Sequence, residues 1–271
     1  MNNFEKLYYE DESFWGGEML QDPANQERIK KTVDLIPQNV QSLVDVGCGN
    51  GVFVNYLNKF NPKIEILGLD RSEAALKYVK TNKQVCDIEN IPLPNKSMDC
   101  ITCLEVIEHL PVPVYEKALS ELTRISNKYI IISVPFEENS EEFYNQCPSC
   151  KTIFNYEMHL RRFDDKKMQG LLNSYGFSCV ELDHFGTTYK YLGHYAFRKI
   201  FYKEQFKQWR SPICPVCGYK ANNGFEHNID SEMSTTISSK RKIISYLSAI
   251  PKLIWPKVKK NYWVAALYKR D

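Results

Sequence analysis

The chain has 271 residues, 43% of them hydrophobic and 25% charged, with 12 Gly and 13 Pro. That composition leaves room for one sizeable core and excludes a disulfide-stapled mini-protein, a coiled coil and a disordered chain. Lys and Arg total 35 against 33 Asp and Glu, and the net charge of +2 by itself points to no strongly charged partner.

Residues 1–40 are expected to form an N-terminal cap segment, with Phe4, Tyr8, Tyr9, Phe14 and Trp15 ahead of the first core helix. From there short apolar strands alternate with helical patterns, which predicts an α/β fold with a mainly parallel sheet. Ser42-Leu43-Val44-Asp45-Val46 reads as the first strand, and it runs into the turn Gly47-Cys48-Gly49-Asn50-Gly51 and a helix through Phe60. Glu65 to Asp70 is a second strand, and Ser72 is placed to cap a helix running to Lys80. Further strands are expected at Lys83 to Cys86, Met98 to Cys103, and Tyr129 to Val134, the last apolar enough to be central. A helix over Asp164 to Tyr175, a strand over Cys179 to Asp183 and a last strand over Tyr262 to Tyr268 complete the series. Residues 41–135 would then be a cofactor-binding core, with 164–184 and 262–271 its remainder. The stretches 136–163 and 185–261 do not fit the alternation and read as insertions.

A strand ending in a glycine turn that opens a helix lets backbone N–H groups approach an anionic or dipolar ligand. A dinucleotide fingerprint would want its third glycine at position 52, which is Val52. Asp70 lies 19 residues beyond Gly51, at the end of the next strand, where it can accept ribose hydroxyls. Together with Cys86-Asp87-Ile88 and Asp99 to Glu105, these elements resemble the class I S-adenosylmethionine-dependent methyltransferases of the type 11 and 23 kind. The resemblance implies a doubly wound, mainly parallel seven-stranded Rossmann-like sheet whose final strand is antiparallel. It implies that Asp45, Gly47, Cys48, Gly49 and Gly51 face the methionine part of the cofactor. Asp70 and Arg71 would lie at the ribose, Asp87 and Ile88 at the adenine, and Leu104 at the floor.

Glu105-Val106-Ile107-Glu108-His109 follows strand four directly. On a helical turn positions i, i+3 and i+4 share a face, so Glu105, Glu108 and His109 are expected to converge as a divalent-cation site. An alternative is that the acids cap the helix near Pro111. The pentapeptide is similar to the metal motif of plant small-RNA 2′-O-methyltransferases and of ubiquinone-biosynthesis O-methyltransferases. His159 stands where the RNA enzymes place a further histidine. The resemblance implies Mg²⁺ or Mn²⁺ on these four residues, lowering the pKa of an acceptor hydroxyl; without a cation, His159 or His109 would be the general base.

No apolar run reaches transmembrane length, and Met1-Asn2-Asn3-Phe4-Glu5 lacks the character of a secretory signal. A cytoplasmic, reducing location is expected, so the nine cysteines read as core residues, metal ligands or redox groups. Cys147-Pro148-Ser149-Cys150 and Cys214-Pro215-Val216-Cys217 have the same form and together offer the four sulfurs that Zn²⁺ prefers, with a redox pair or unrelated loop cysteines as the rivals. Zinc there would staple the two insertions into a lid over the acceptor pocket. Cys48, Cys86, Cys100, Cys103 and Cys179 read as small buried hydrophobes. The charge also divides: residues 233–270 carry nine basic and no acidic residues, while residues 1–232 have a net charge of −6. The basic segment 240–260 is a candidate for contact with a membrane surface or nucleic acid, or else a helical pair packed on the lid with a basic outer face. The expected function is methylation of a hydroxyl on a glycan or small molecule. The alternatives are methylation of an RNA ribose and a non-catalytic zinc-ribbon adaptor.

Overall fold

The computed structural model describes residues 9, 10, 15, 23–138, 143–191, 214–219 and 256–271. Phe4, Tyr8, Phe14 and most of the basic segment, residues 240–255, lie outside the described residues. Among the described residues no helix is long and apolar enough to cross a membrane. The chain divides into two compact units, one drawn from Met1–Ser140, Met158–Thr187 and Asn261–Asp271, the other from Glu141–Glu157 and Thr188–Lys260.

The first unit holds α1 (Pro23–Asp34), β1 (Ser42–Val46), α2 (Val52–Phe60), β2 (Glu65–Asp70), α3 (Glu73–Leu76), β3 (Asn82–Val85), β4 (Met98–Leu104), α4 (Val112–Ile125) and β5 (Ser126–Pro135). Along the chain there follow β6 (Tyr144–Gln146), β7 (Ile153–Asn155), α5 (Asp165–Gly170), a 3₁₀ turn at Asn173–Tyr175, β8 (Phe177–Tyr191) and β9 (Lys257–Arg270). The seven-stranded sheet has the order β3-β2-β1-β4-β5-β9-β8. β1 pairs in parallel with β2 and β4, and β5 with β4, whereas β9 runs antiparallel to β5, with Ile131 opposite Leu267.

The period-two alternation of the strands feeds two cores, one on each face. Ile130, Ile132 and Val134 of β5 join Val264 and Ala266 of β9 beneath α4, while Ile131, Ala265 and Leu267 point the other way toward α1 and α2. All three isoleucines are fully buried, which stabilises the sheet by about 1.5–3 kcal/mol apiece. β3, at the edge, is exposed throughout.

Several elements differ from their sequence expectation. The helix after Ser72 stops at Leu76, not Lys80, although Ser72 caps it as expected by accepting from the Ala75 N–H at 3.1 Å. The helix expected over 164–175 breaks at Leu171 and Leu172 into α5 and the 3₁₀ turn, and Gly176, with a left-handed φ of 75°, ends the 3₁₀ turn. β8 and β9 extend well past their expected ends. Lys257–Lys260 are thus strand rather than part of a helical pair. Cys48, Cys100 and Cys103 are buried, while Cys86 and Cys179 are half-buried.

Taken by itself, the second unit contains the antiparallel β6–β7 pair, with Asn145 opposite Phe154. Cys147–Lys151 forms the turn that leaves β6.

Candidate active site

The glycine turn joins β1 to α2 at the carboxyl edge of the sheet. Gly47 and Gly49 have φ values of 79° and 52°, in the region that disfavours any Cβ. A Cβ on Gly47 would lie 2.4 Å from Val106 Cγ2, and one on Gly49 would lie 2.8 Å from the Trp15 ring. These two positions therefore carry glycine for both backbone and space. Gly51 is the N-cap of α2 and no side chain caps that helix, so its first N–H groups remain available to a ligand. The Cys48 side chain is buried, its Sγ 2.9 Å from where a Gly68 Cβ would stand.

Asp70 closes the turn: its carboxylate accepts the Gly49 and Ser72 N–H groups, each at 2.8 Å. Burial raises its pKa, and those backbone bonds oppose the rise. A carboxylate offers about four acceptor sites, more than these backbone bonds occupy. Asp45 is 2% exposed and accepts the Thr102 hydroxyl at 2.6 Å. Arg71 stacks over the Tyr9 ring at 4.9 Å, and Asn50 Nδ2 donates to the Trp15 carbonyl at 3.0 Å. Asp87 is exposed and Ile88 half-buried just past β3, and Leu104 is the half-buried last residue of β4.

The second cluster lies directly beside this turn. Glu105 has a left-handed φ of 57°, so residues 105–109 are not one helical turn; the His109 N–H bonds back to the Val106 carbonyl instead. Glu105 is not part of the group that Glu108 and His109 form. Its carboxylate accepts Ser133 Oγ at 2.9 Å and Trp263 Nε1 at 2.8 Å. Glu108, His109 and His159 do come together, with ligand-type atoms all within 4.8 Å of one another. The two imidazoles meet edge-on at 4.7 Å, and His109 Nε2 is 3.8 Å from Glu108 Oε1.

Backbone pinning brings His159 there from 50 residues away. The Leu160 N–H donates to the Glu108 carbonyl at 2.8 Å, and Arg161 donates to the Leu110 carbonyl while stacking over Tyr115. Glu138, just past β5, meets His159 Nδ1 at 2.5 Å. Glu108 is 1% exposed, yet neither of its oxygens has a hydrogen-bond partner among the described residues; His109 Nδ1 and Glu138 Oε1 also lack one. Burial, then repulsion from Glu105, pushes the Glu108 pKa well up. Burial and the neighbouring His159 push His109 down to about 3.

Residues 44–129 match a family model, Methyltransf_11, described as a methyltransferase domain. A protein of Methanocaldococcus jannaschii is 32% identical over 128 residues, 45% of this chain and 52% of the relative. A ubiquinone biosynthesis O-methyltransferase of Coxiella burnetii is 32% identical over 98 residues, 33% of this chain and 41% of the relative. The chain thus spans about half, or less, of the length of the curated relatives it matches. Among solved structures, a SAM-dependent methyltransferase from Archaeoglobus fulgidus shares the fold with a TM-score of 0.53 at 18% identity, over 90% of this chain and 91% of that one. The fold is the Rossmann-like methyltransferase fold.

On this methyltransferase fold, the glycine turn and the 105–109 turn share the carboxyl edge, where open α/β sheets place their ligands. Sequence reasoning missed three participants. Glu138 follows β5 as Glu105 follows β4, and that position at a strand's carboxyl end was the available signal. Trp263 was read only as strand apolar content. Arg28 of α1 sits 5.6 Å from the Trp263 ring, and its charge favours the ionised forms of Glu105, Glu108 and Asp45. Nothing local in Asn25 to Ile29 marks it.

Proposed function

We propose that this chain methylates a hydroxyl oxygen of a glycan or other small molecule, using S-adenosylmethionine and His159 as the base. The uncapped N-terminus of α2 and the turn of Gly47, Gly49 and Gly51 would hold the methionine part of the cofactor. Asp70 would hold the ribose, and Asp87 with Ile88 the adenine. When bound, the cofactor supplies a methyl group already activated on a sulfonium. The protein's remaining task is to align the acceptor oxygen and remove its proton.

The observation that supports an oxygen acceptor is the cluster of buried Glu108 with half-buried His109 and His159 beside the glycine turn, several of whose polar atoms have no partner among the described residues. Glu138 accepts the Nδ1–H of His159, which leaves the lone pair on Nε2. Nε2 would take the proton of the acceptor hydroxyl as that oxygen is methylated. The Glu108 carboxylate and His109 Nδ1 are then open to the hydroxyls of the acceptor. A second reading is favoured by the two unpartnered oxygens of Glu108. With His109 and His159 they make a donor set suited to Mg²⁺ or Mn²⁺, which would bind neighbouring hydroxyls and lower their pKa.

Calorimetry with S-adenosylmethionine should show saturable binding, and labelled methyl should pass to polyhydroxyl acceptors. No binding at millimolar cofactor would overturn the enzyme reading in favour of a binding module. Transfer to RNA alone would replace the acceptor class. Activity lost on chelation and restored by Mg²⁺ or Mn²⁺ would select the second reading.

A further inference from the structure

The second unit holds a cluster that the methyl-transfer chemistry does not use. Cys147, Cys150, Cys214 and Cys217 have all four Sγ atoms within 4.8 Å of one another. Contacts run across the two pairs, Cys147 to Cys217 at 3.7 Å and Cys150 to Cys214 at 3.7 Å. A tetrahedron of sulfurs about 2.3 Å from a central zinc has edges of about 3.8 Å. All four cysteines are free thiols.

The two turns are also built alike, bond for bond. The Cys147 carbonyl accepts the Lys151 N–H at 3.1 Å, and the Cys214 carbonyl accepts the Gly218 N–H at 3.0 Å. The Cys147 N–H donates to the Thr152 carbonyl, and the Cys214 N–H to the Tyr219 carbonyl, both at 2.9 Å. The residue after each second cysteine is left-handed, with φ of 61° at Lys151 and 71° at Gly218. In each turn the first cysteine is fully buried and the second exposed. At Lys151 the chain tolerates a conformation that costs a residue with a Cβ about 1 kcal/mol or more, and it does so to repeat the shape glycine gives at 218. Hydrophobic packing has no use for two such turns with their sulfurs converging from segments 63 residues apart.

We propose that Cys147, Cys150, Cys214 and Cys217 bind one structural Zn²⁺ in a closed tetrathiolate site. The thiols release their protons to solvent on binding, and four sulfurs leave no open position for a substrate or water. The ion ties the segment leaving β6 to residues 214–219, which closes a long loop of the chain.

Full-length protein purified without chelator should contain about one zinc per chain. The Cys147→Ser, Cys214→Ser double variant should lose it, and Cys179→Ser should keep it. Because the double variant can fail to fold, the unmutated protein is also stripped and titrated with Co²⁺. One equivalent should give the strong visible bands and sulfur-to-cobalt charge transfer of a tetrahedral tetrathiolate. Four thiols should become reactive only after chelation. Folded protein with no bound metal, stoichiometric iron in place of zinc, or disulfides recovered within or between the pairs would overturn the proposal. None of these outcomes bears on cofactor binding, so the two readings fail separately.

Discussion

The glycine turn and the 105–109 turn lie side by side, yet they treat their buried polar groups in opposite ways. At the glycine turn, Asp45 is bonded to Thr102, and Asp70 holds two backbone N–H groups. At the neighbouring turn, neither oxygen of Glu108 has a hydrogen-bond partner among the described residues, nor do His109 Nδ1 and Glu138 Oε1. A buried polar group left unpaired costs about 1–3 kcal/mol, so a protein retains several together only where something else meets them. In one region the buried carboxylates are bonded within the fold. The other leaves hydrogen bonds unmet among the described residues, which the proposed function assigns to an acceptor.

The largest effect that follows is on turnover. His159→Ala should lower kcat by about 10²–10⁴-fold, the usual contribution of a positioned general base. Cofactor affinity, which the proposed function assigns to the other turn, should stay within about twofold, well under the ~1.4 kcal/mol that a tenfold change represents. Glu138→Gln keeps a group of the same shape beside Nδ1 but removes the charge, and should cost about 10–100-fold with a displaced pH–rate profile. Steady-state kinetics with calorimetry on the same samples separates the two regions. Equal loss of cofactor binding in His159→Ala would break the division.

Gly47 stands on the seam between the regions, and a side chain there tests how tightly they are joined. Gly47→Ala forces a Cβ onto a φ of 79° and to within 2.4 Å of Val106 Cγ2. Backbone strain and overpacking together should destabilise the fold by about 2–4 kcal/mol. Val106→Ala in the same chain should return about 1–3 kcal/mol, the overpacking share, and leave the backbone share. Urea denaturation of the single and double variants measures both. No recovery in the double variant would mean that the conformation alone decides the glycine.

How much of this was legible in the sequence follows the range of the forces involved. β1, β2, β4 and β5 are fixed by local apolar runs, and the glycine turn by the steric demands of three residues, so both could be read directly. The Ser72 cap is equally local. The site beside them is not. Glu105 has a left-handed φ, and its carboxylate is held by Ser133 on β5 and Trp263 on β9, partners distant in sequence. Helical spacing grouped three residues, but tertiary bonds removed one and supplied Glu138. The length of β8 and β9 was hidden for a similar reason. Polar residues such as Lys259 and His184 belong to these strands beyond their apolar runs, and periodicity does not record sheet membership of that kind.

The smallest effect sharpens the glycine-turn side of the comparison. Asp45 is not left unpaired, but Thr102 gives it only a neutral hydroxyl. Burial pushes its pKa from 3.8 up to about 7; the Thr102 bond opposes the rise, Asp70 adds to it, and Arg28 opposes it weakly. In the unfolded chain the carboxyl ionises near 3.8 while the folded chain keeps its proton, so stability declines as pH rises across that window and levels off above about 7. Asp45→Asn should flatten this decline. Binding runs the other way, because the sulfonium and ammonium groups of the proposed cofactor favour the ionised carboxylate. Affinity should rise about tenfold between roughly pH 6 and 8 and lose that dependence in Asp45→Asn. The opposed slopes identify the group: a structural carboxyl would give the first without the second. Calorimetric titrations across that range, paired with urea midpoints, would expose an Asp45 that only braces β1 against Thr102.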